Sequence, residues 1–305
     1  MRPTDCGAKG TWAATWSATN SRDPVISSPD MASPPSPPSP SQWGAASRGY
    51  GEAVAPRMME PFAEALVGHL EVDASMNALE VAAGTGALTV NLAPKVASLL
   101  ATDFAPGMIE VLRERLSEMG QTNVSFEVMD GQALSVEDAS FDRAACSFAL
   151  MLFPDRAKGF SELRRVLRPG GRAAVSGWIG PDEFETFAIF LQAVKVAFPD
   201  LPPPPGPPPV FNLADPTRFA AEMEAAGFTD VGVDKEFREL ELESFEEIWT
   251  MLTVGAPPVQ ALFDRVGPGA KERVHDALAQ LIDERFGSGP IRFTNAATIG
   301  YGVAG

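Results

Sequence analysis

Apolar and polar positions in the middle of the chain form two alternating patterns, short apolar runs and longer stretches with apolar residues every three or four positions. The short runs predict strands over 77–82, 97–102, 123–129, 141–148 and 172–178. The longer stretches predict helices over 57–70, before the first strand, and over 86–93, 106–119 and 156–167 between strands. Strands that alternate with helices favour a mostly parallel sheet with helices on both faces.

The pattern changes after Trp178. Residues 184–198 are apolar almost all round, which predicts a buried helix. The run "PPPPGPPP" (202–209) predicts a stiff, extended connection. The remaining patterns predict a helix over 216–227, a strand over 229–237, helical structure over 244–286 and a final strand over 291–305.

Residues 1–41 have a different composition, rich in Ser, Thr, Ala and Pro and ending in "SPPSPPSPS". Such a stretch buries too little apolar surface to offset its ordering entropy, so we expect a disordered tail. Two alternatives are an organelle-targeting peptide and translation that starts at Met31. The folded domain is expected to span residues 42–305.

Composition and charge narrow the class of partner. The chain is 45% hydrophobic and 21% charged, without a run of about 18 apolar residues that would cross a membrane. Its formal net charge of −16 repels phosphate backbones and anionic lipid, so we expect no nucleic-acid partner. With only Cys6 and Cys146, a structural disulfide is not expected, which favours a reducing, cytoplasmic location.

The stretch "ALEVAAGTGALTV" (78–90) reads as a strand, a glycine-bearing turn and a helix. A dinucleotide fingerprint would need a third glycine where Thr89 stands. Three carboxylates at successive strand ends, Glu80, Asp103 and Asp130, suit a cationic ligand with a ribose better than a pyrophosphate.

On these residues the chain resembles the class I S-adenosylmethionine-dependent methyltransferases, especially the ubiquinone- and menaquinone-biosynthesis-like group (methyltransferase type 11). The resemblance covers about residues 43–180 in the family's order and spacing. It is carried by "LEVAAGTG" (79–86), "ATDFAPGMIEVLRERL" (101–116), "FEVMDGQAL" (126–134), "SFDRAACSFALMLFPD" (140–155) and "ELRRVLRPGGRAAVSGW" (162–178). It implies a doubly wound, mostly parallel seven-stranded α/β sheet of Rossmann-like type. It also implies a cap built from insertions at about 181–214 and 241–289.

The resemblance implies S-adenosylmethionine as the cofactor and transfer of its methyl group to a small molecule. Asp103 would hold the ribose, Asp130 would accept from adenine N6, and Tyr50 would belong to an N-terminal lid. Position 82 is usually glycine in the family, and we expect Ala82 only to tighten the turn. The implied cofactor-binding residues are Tyr50, Glu80, Ala82, Gly84, Thr85, Gly86, Asp103, Phe104, Met108, Asp130, Gly131, Gln132 and Ser147.

The sequence constrains the methyl acceptor less than it constrains the cofactor. Neither His69 nor His275 stands at a motif position, and no acidic or Cys/His cluster predicts a metal site. We therefore expect an acceptor that needs little help from a base: a thiol, a thioether, an amine, a carboxylate, or an activated phenol or carbon. The candidate lining residues of its pocket are Met151, Phe153, Trp178, Phe184, Phe211 and Trp249.

Two other functions remain open at this point. One is a nicotinamide-dependent oxidoreductase, and the other is a non-catalytic cofactor-binding subunit that partners an active methyltransferase. Degenerate subunits usually lose the glycine loop or the ribose carboxylate, and this chain keeps both.

Overall fold

A computed structural model describes residues 38–202, 206 and 208–305. Most of the predicted tail, and part of the proline-rich run at 202–209, lie outside the described residues. The first described element is helix α1 (Pro40–Gly49). Its first turn is closed by a capping box, in which the Ser39 hydroxyl accepts from the N–H of Gln42 and the Gln42 side chain accepts from the N–H of Ser39.

Two further helical elements connect α1 to the sheet. A π-helical segment (Tyr50–Met59) contains Pro56 and continues into α2 (Glu60–Leu70). The sequence predicted a helix only over 57–70. The earlier part was missed because α1 buries a single residue, Ser47, and so lacks an apolar stripe.

Seven strands form one sheet. They are β1 (Asn77–Val81), β2 (Ser98–Asp103), β3 (Val124–Val128), β4 (Phe141–Ser147), β5 (Leu167–Trp178), β6 (Phe228–Leu242) and β7 (Ile291–Ala304). Their order across the sheet is β3-β2-β1-β4-β5-β7-β6. Strands β1 to β5 are parallel to one another, whereas β7 is antiparallel to both β5 and β6. The mostly parallel, doubly wound sheet confirms the predicted fold class.

The helices after successive strands match the predicted ones closely, with one exception. They are α3 (Thr89–Leu92), α4 (Pro106–Glu118), α5 (Arg156–Val166) and α7 (Pro216–Ala225). Helix α3 is shorter than the predicted 86–93 because Gly86 adopts a φ of +94° and still belongs to the turn. Asp155 and Asp215 cap α5 and α7 by accepting hydrogen bonds from backbone N–H groups of the first turn.

Four further helices come from the segments that follow β5 and β6. They are α6 (Glu185–Ala197), α8 (Phe245–Val254), α9 (Pro257–Val266) and α10 (Ala270–Phe286). Helix α6, which precedes α7, packs against α10, which precedes β7. The predicted continuous helical stretch 244–286 is interrupted twice, at Gly255 with Pro257 after it and at Gly267 with Gly269 after it.

The largest apolar core extends from the sheet into these four helices without a break. Phe160 and Phe219 pack between the sheet and α5 and α7, and Phe190 and Leu278 join α6 to α10 in the same cluster. Across the part of the chain that the structure describes, no helix is both long enough and apolar enough to cross a membrane.

Candidate functional site

The loop after β1 takes its shape from three residues with positive φ. Ala82 and Gly84 both have a φ of +56°, and Gly86 has a φ of +94°. This left-handed region costs a residue with a Cβ about 1–2 kcal/mol, so Ala82 is strained where glycine would not be. Glycine suits position 86 because of its positive φ, and a Cβ there would also meet the side chain of Leu112.

Asp103 ends β2 and ties that strand to the loop. Its carboxylate accepts 2.9 Å hydrogen bonds from the backbone N–H groups of Gly84 and of Ala105. Only 5% of the residue is exposed. Burial raises the pKa of Asp103 to about 6, and the backbone hydrogen bonds oppose that rise.

Glu80 lies within β1, just before the loop, and is buried. Its carboxyl accepts a 2.7 Å hydrogen bond from the hydroxyl of Thr89 at the start of α3. Burial raises the pKa of Glu80 to about 8, with a smaller contribution from the charge of Asp103. The side chain therefore links the strand to the helix that follows the loop.

A cavity of about 310 Å³ lies over the carboxyl ends of β1, β2 and β4. This volume is at the small end of the roughly 300–1,000 Å³ typical of ligand pockets. It brings together eleven of the predicted cofactor-binding residues: Tyr50, Ala82, Gly84, Thr85, Asp103, Phe104, Met108, Asp130, Gly131, Gln132 and Ser147. Of the other two, Gly86 belongs to the loop itself, and Glu80 lies in β1 before it, where it bonds to Thr89 after the loop.

The hydroxyl of Thr85 tests whether these residues fit the expected cofactor. It is buried without a hydrogen-bond partner among the described residues, in a side chain on the cavity wall. A buried hydroxyl without a partner is costly, so this atom calls for a polar ligand group. The carboxylate and ammonium of the methionine part of S-adenosylmethionine supply such groups, and the residues present fit this cofactor.

Asp130, Gly131 and Gln132, which follow β3, form another part of the cavity wall. Asp130 accepts hydrogen bonds from the backbone N–H of Gln132 at 2.9 Å and from its side-chain amide at 3.1 Å. The Gln132 amide oxygen in turn accepts from the N–H of Asp155 at 2.8 Å. Gly131 is packed so closely that a Cβ would lie 2.7 Å from the ring of Phe153.

Tyr50, which the resemblance assigns to an N-terminal lid, lies beside the glycine loop. The Tyr50 ring lies 3.9 Å from the position that a Cβ on Gly84 would occupy, and Gly51 packs on the side chain of Thr85. Trp43 meets Tyr50 edge to face, with ring centroids 5.8 Å apart. Burial and the nearby charge of Asp103 raise the pKa of Tyr50 far above its ordinary value, so the phenol stays protonated.

Several cavity residues were not predicted. Trp43 and Met59 lie far from the strand ends in sequence, and no local pattern points to them. Phe148 directly follows Ser147 within a motif that the sequence did single out, so its position was the available signal. Among the described residues, the lining residues that were not predicted are Pro38, Trp43, Met59, Ala83, Ala87, Leu88, Met129, Phe148, Ala149, Leu152 and Pro154.

The candidate acceptor residues do not share one surface. Phe153 lines the cavity, whereas Met151 is buried beside it. Trp178 and Phe184 stack on each other at 4.3 Å, and Phe211 meets Phe184 edge to face at 6.5 Å, all behind the cavity wall.

Trp249 and the two histidines lie in other surroundings. Trp249 on α8 contacts His275 edge to face at 4.9 Å, and Nδ1 of His275 lies 3.0 Å from Asp276. His69 stacks on Tyr301 at 4.4 Å, on the side of α2 that faces the sheet. Among the described residues that line the cavity, the titratable ones are Tyr50, Asp103 and Asp130.

Comparisons with known proteins agree with this geometry. Residues 78–171 match the family model described as a methyltransferase domain. The chain is 42% identical over 103 residues to a demethylmenaquinone methyltransferase of Clavibacter sepedonicus, covering 34% of this chain and 41% of that protein. It is 32% identical over 166 residues to a demethylmenaquinone methyltransferase of Deinococcus radiodurans, covering 49% of this chain and 66% of that protein. The matched part of the chain thus spans less than two thirds of either relative.

Solved structures show the same fold. The YcgJ protein of Bacillus subtilis superposes with a TM-score of 0.52 at 20% identity, covering 80% of this chain and 98% of that one. A putative methyltransferase of Bacillus halodurans superposes with a TM-score of 0.52 at 19% identity, covering 79% of this chain and 98% of that one. The glycine loop, the strand order and these similarities show that the chain contains a methyltransferase domain of class I fold, similar in sequence to demethylmenaquinone methyltransferases.

Proposed function

We propose that this chain transfers the methyl group of S-adenosylmethionine to a small-molecule acceptor. The observation that carries the proposal is the cavity itself. It gathers the loop after β1, Asp103 at the end of β2 and Asp130 after β3 around one space. Thr85 presents in the same wall a buried hydroxyl that has no hydrogen-bond partner within the described part of the chain. A family match over residues 78–171 supports the same chemistry.

Each wall of the cavity has a separate binding task. Asp103, held by two backbone N–H groups, accepts from the ribose hydroxyls. Asp130 accepts from the adenine amine, and the buried side chain of Met108 packs on the ring. Thr85 meets the polar groups of the methionine part. When bound, the cofactor supplies an electrophilic methyl group on a sulfonium, which is the reacting centre.

The remaining chemistry is positioning and exclusion of water. Tyr50 and Trp43 cover the glycine loop from the lid side. Because the Tyr50 phenol stays protonated, it does not serve as the base that removes a proton from the acceptor. Asp103 and Asp130 are assigned to the cofactor, so the proposal leaves no base for the acceptor. We therefore favour an acceptor that is acidic or already nucleophilic, such as a thiol, an amine, a carboxylate or an activated phenol or carbon.

The proposal extends to the surroundings of the site. The helices within 181–214 and 241–289 form the cap on the acceptor side, which the packing of α6 on α10 supports. The net charge of −16 favours a small molecule over a nucleic acid as the partner. The low cysteine content supports a cytoplasmic location.

Isothermal titration calorimetry tests the cofactor. S-adenosylmethionine and S-adenosylhomocysteine should bind at one site per chain, and NAD should not. Tight binding of NAD without binding of S-adenosylhomocysteine would overturn the proposal. A screen of thiols, amines, phenols and quinone precursors with isotopically labelled cofactor, read by mass spectrometry, then tests transfer and identifies the acceptor class.

A further inference from the structure

Phe148 has an unusual backbone at the end of β4. Its φ is +53°, in the left-handed region that bulky residues rarely adopt. Its N–H donates to both oxygens of Ser176 on β5, to the hydroxyl at 3.1 Å and to the carbonyl at 3.2 Å. A strained conformation persists only where its surroundings hold it, and such residues cluster at functional sites.

The ring of Phe148 is held as firmly as its backbone. It stacks on the indole of Trp178 with centroids 4.2 Å apart and planes 29° apart, and Trp178 stacks in turn on Phe184. Phe62 from α2 meets Phe148 and Trp178 edge to face, each at 5.6 Å. These two aromatic neighbours, Trp178 and Phe62, pack against the Phe148 ring and hold it in place beside the cavity.

Only the first ring of this stack reaches the cavity among the described residues. Phe148 lines it, whereas Trp178 and Phe184 lie behind. The neighbouring cavity wall is also apolar, formed by Met59, Ala149 and Leu152. Apart from the neighbouring Ser147, this part of the wall offers a hydrogen-bonding cofactor few polar side chains, because Thr85, Asp103 and Asp130 belong to other parts of the wall.

We propose that Phe148 is the specificity-determining wall of the acceptor pocket. Its ring, backed by Trp178, ends the pocket on the side of the sheet that faces α6. It thereby limits the length of the apolar group that an acceptor can carry behind its methyl-accepting atom. This inference rests on the proposed methyltransferase function and assigns the end of its pocket to one side chain.

The test uses straight-chain thiols from ethanethiol to octanethiol as acceptor probes, on the full chain saturated with S-adenosylhomocysteine. Binding is measured by calorimetry, and methylation is measured separately with labelled cofactor. Wild type should show a cut-off in chain length. In Phe148→Leu the cut-off should move to longer thiols, with about four-fold tighter binding for each further methylene that becomes buried. Phe148→Ala should move it further, and the leucine variant keeps the test valid if the alanine variant does not fold.

Phe190→Leu is the matched control, because Phe190 is equally buried but lies in α6 away from the cavity wall. It should leave the chain-length profile unchanged. The same profile in wild type and Phe148→Leu, including no uptake of any thiol by either, would overturn the inference. An equal loss of binding affinity for thiols of every chain length would also overturn the inference, since that is the effect of a merely structural residue. Failure of wild type to bind S-adenosylhomocysteine would overturn the proposed function itself.

Discussion

The carboxylate of Asp103 accepts a 2.9 Å hydrogen bond from the backbone N–H of Gly84, which joins the end of β2 to the loop after β1. The second carboxylate oxygen is held by the N–H of Ala105 at the same distance. Both oxygens are therefore oriented before any ligand binds. Each oxygen has a further lone pair for a ribose hydroxyl, so the acceptor is preorganised.

Replacement of Asp103 tests that arrangement. In Asp103→Ala the ribose hydroxyls lose a charged partner in a buried site, which should cost about 1.5–3 kcal/mol of cofactor binding. Calorimetry with S-adenosylhomocysteine measures the loss, and circular dichroism checks that the fold is intact. Asp283→Ala, an exposed carboxylate on α10, is the control and should bind like wild type. An unchanged affinity in Asp103→Ala would show that the ribose lies elsewhere.

Glu80 should make stability depend on pH. Its pKa is about 8 in the folded protein against 4.5 for an ordinary glutamate, so the folded state holds more protons between these values. The free energy of unfolding should therefore fall as the pH rises from 4.5 to 8. Glu80→Gln keeps an acceptor for Thr89 without a titrating group, so its stability should fall less over the same range. Urea denaturation at several pH values measures both, and parallel curves would contradict the assignment.

Replacing Ala82 with glycine should stabilise the protein. Its φ of +56° strains a residue with a Cβ, and Ala82→Gly removes that strain at the entropic cost of glycine in the unfolded chain. The net effect should be a gain in stability of up to about 1 kcal/mol. Ala83→Gly is the control, because Ala83 is buried and its φ is not positive, so that variant should lose stability. Equal losses in both variants would refute the strain.

Gly131 should not tolerate a larger side chain. A Cβ there would lie 2.6 Å from Cγ1 of Val81 and 2.7 Å from the ring of Phe153. Gly131→Ala should cost about 1–3 kcal/mol of stability through overpacking, and it should weaken S-adenosylhomocysteine binding as Phe153 moves. Gly68→Ala in α2 has open space around the new Cβ and should instead stabilise by about 0.5–1 kcal/mol. Thermal unfolding with and without ligand distinguishes the two.

Neither histidine should be needed for methyl transfer. His275 contacts Trp249 and Asp276, and His69 stacks on Tyr301, so both lie away from the cavity wall as described. His275→Gln and His69→Gln should keep turnover within a few-fold of wild type at saturating cofactor. Loss of a general base would cost about 10²–10⁴-fold. A loss of that size with normal cofactor affinity would assign a base to the affected histidine and favour a phenol or alcohol acceptor.

The apolar runs and turn residues of the sequence determined most of the sheet. Buried parallel strands are short continuous apolar stretches, and their bounds can be located from local composition. The glycine loop and Asp103 were found in the same way, because strand ends in such sheets meet at one edge. Ala82 shows the limit of this reasoning. Its identity was evident, but its φ of +56°, and hence its strain, followed only from the folded loop.

The tertiary structure alone decided which apolar side chains face the cavity. Phe148 and Trp178 both stand at strand ends and are equally apolar in the sequence, yet Phe148 lines the cavity and Trp178 backs it. Trp43 and Met59 reach the cavity from an N-terminal segment whose pattern gives no sign of it. The physical reason is that hydrophobicity determines whether a side chain is buried. Which neighbour buries it depends on packing between elements that are distant along the chain.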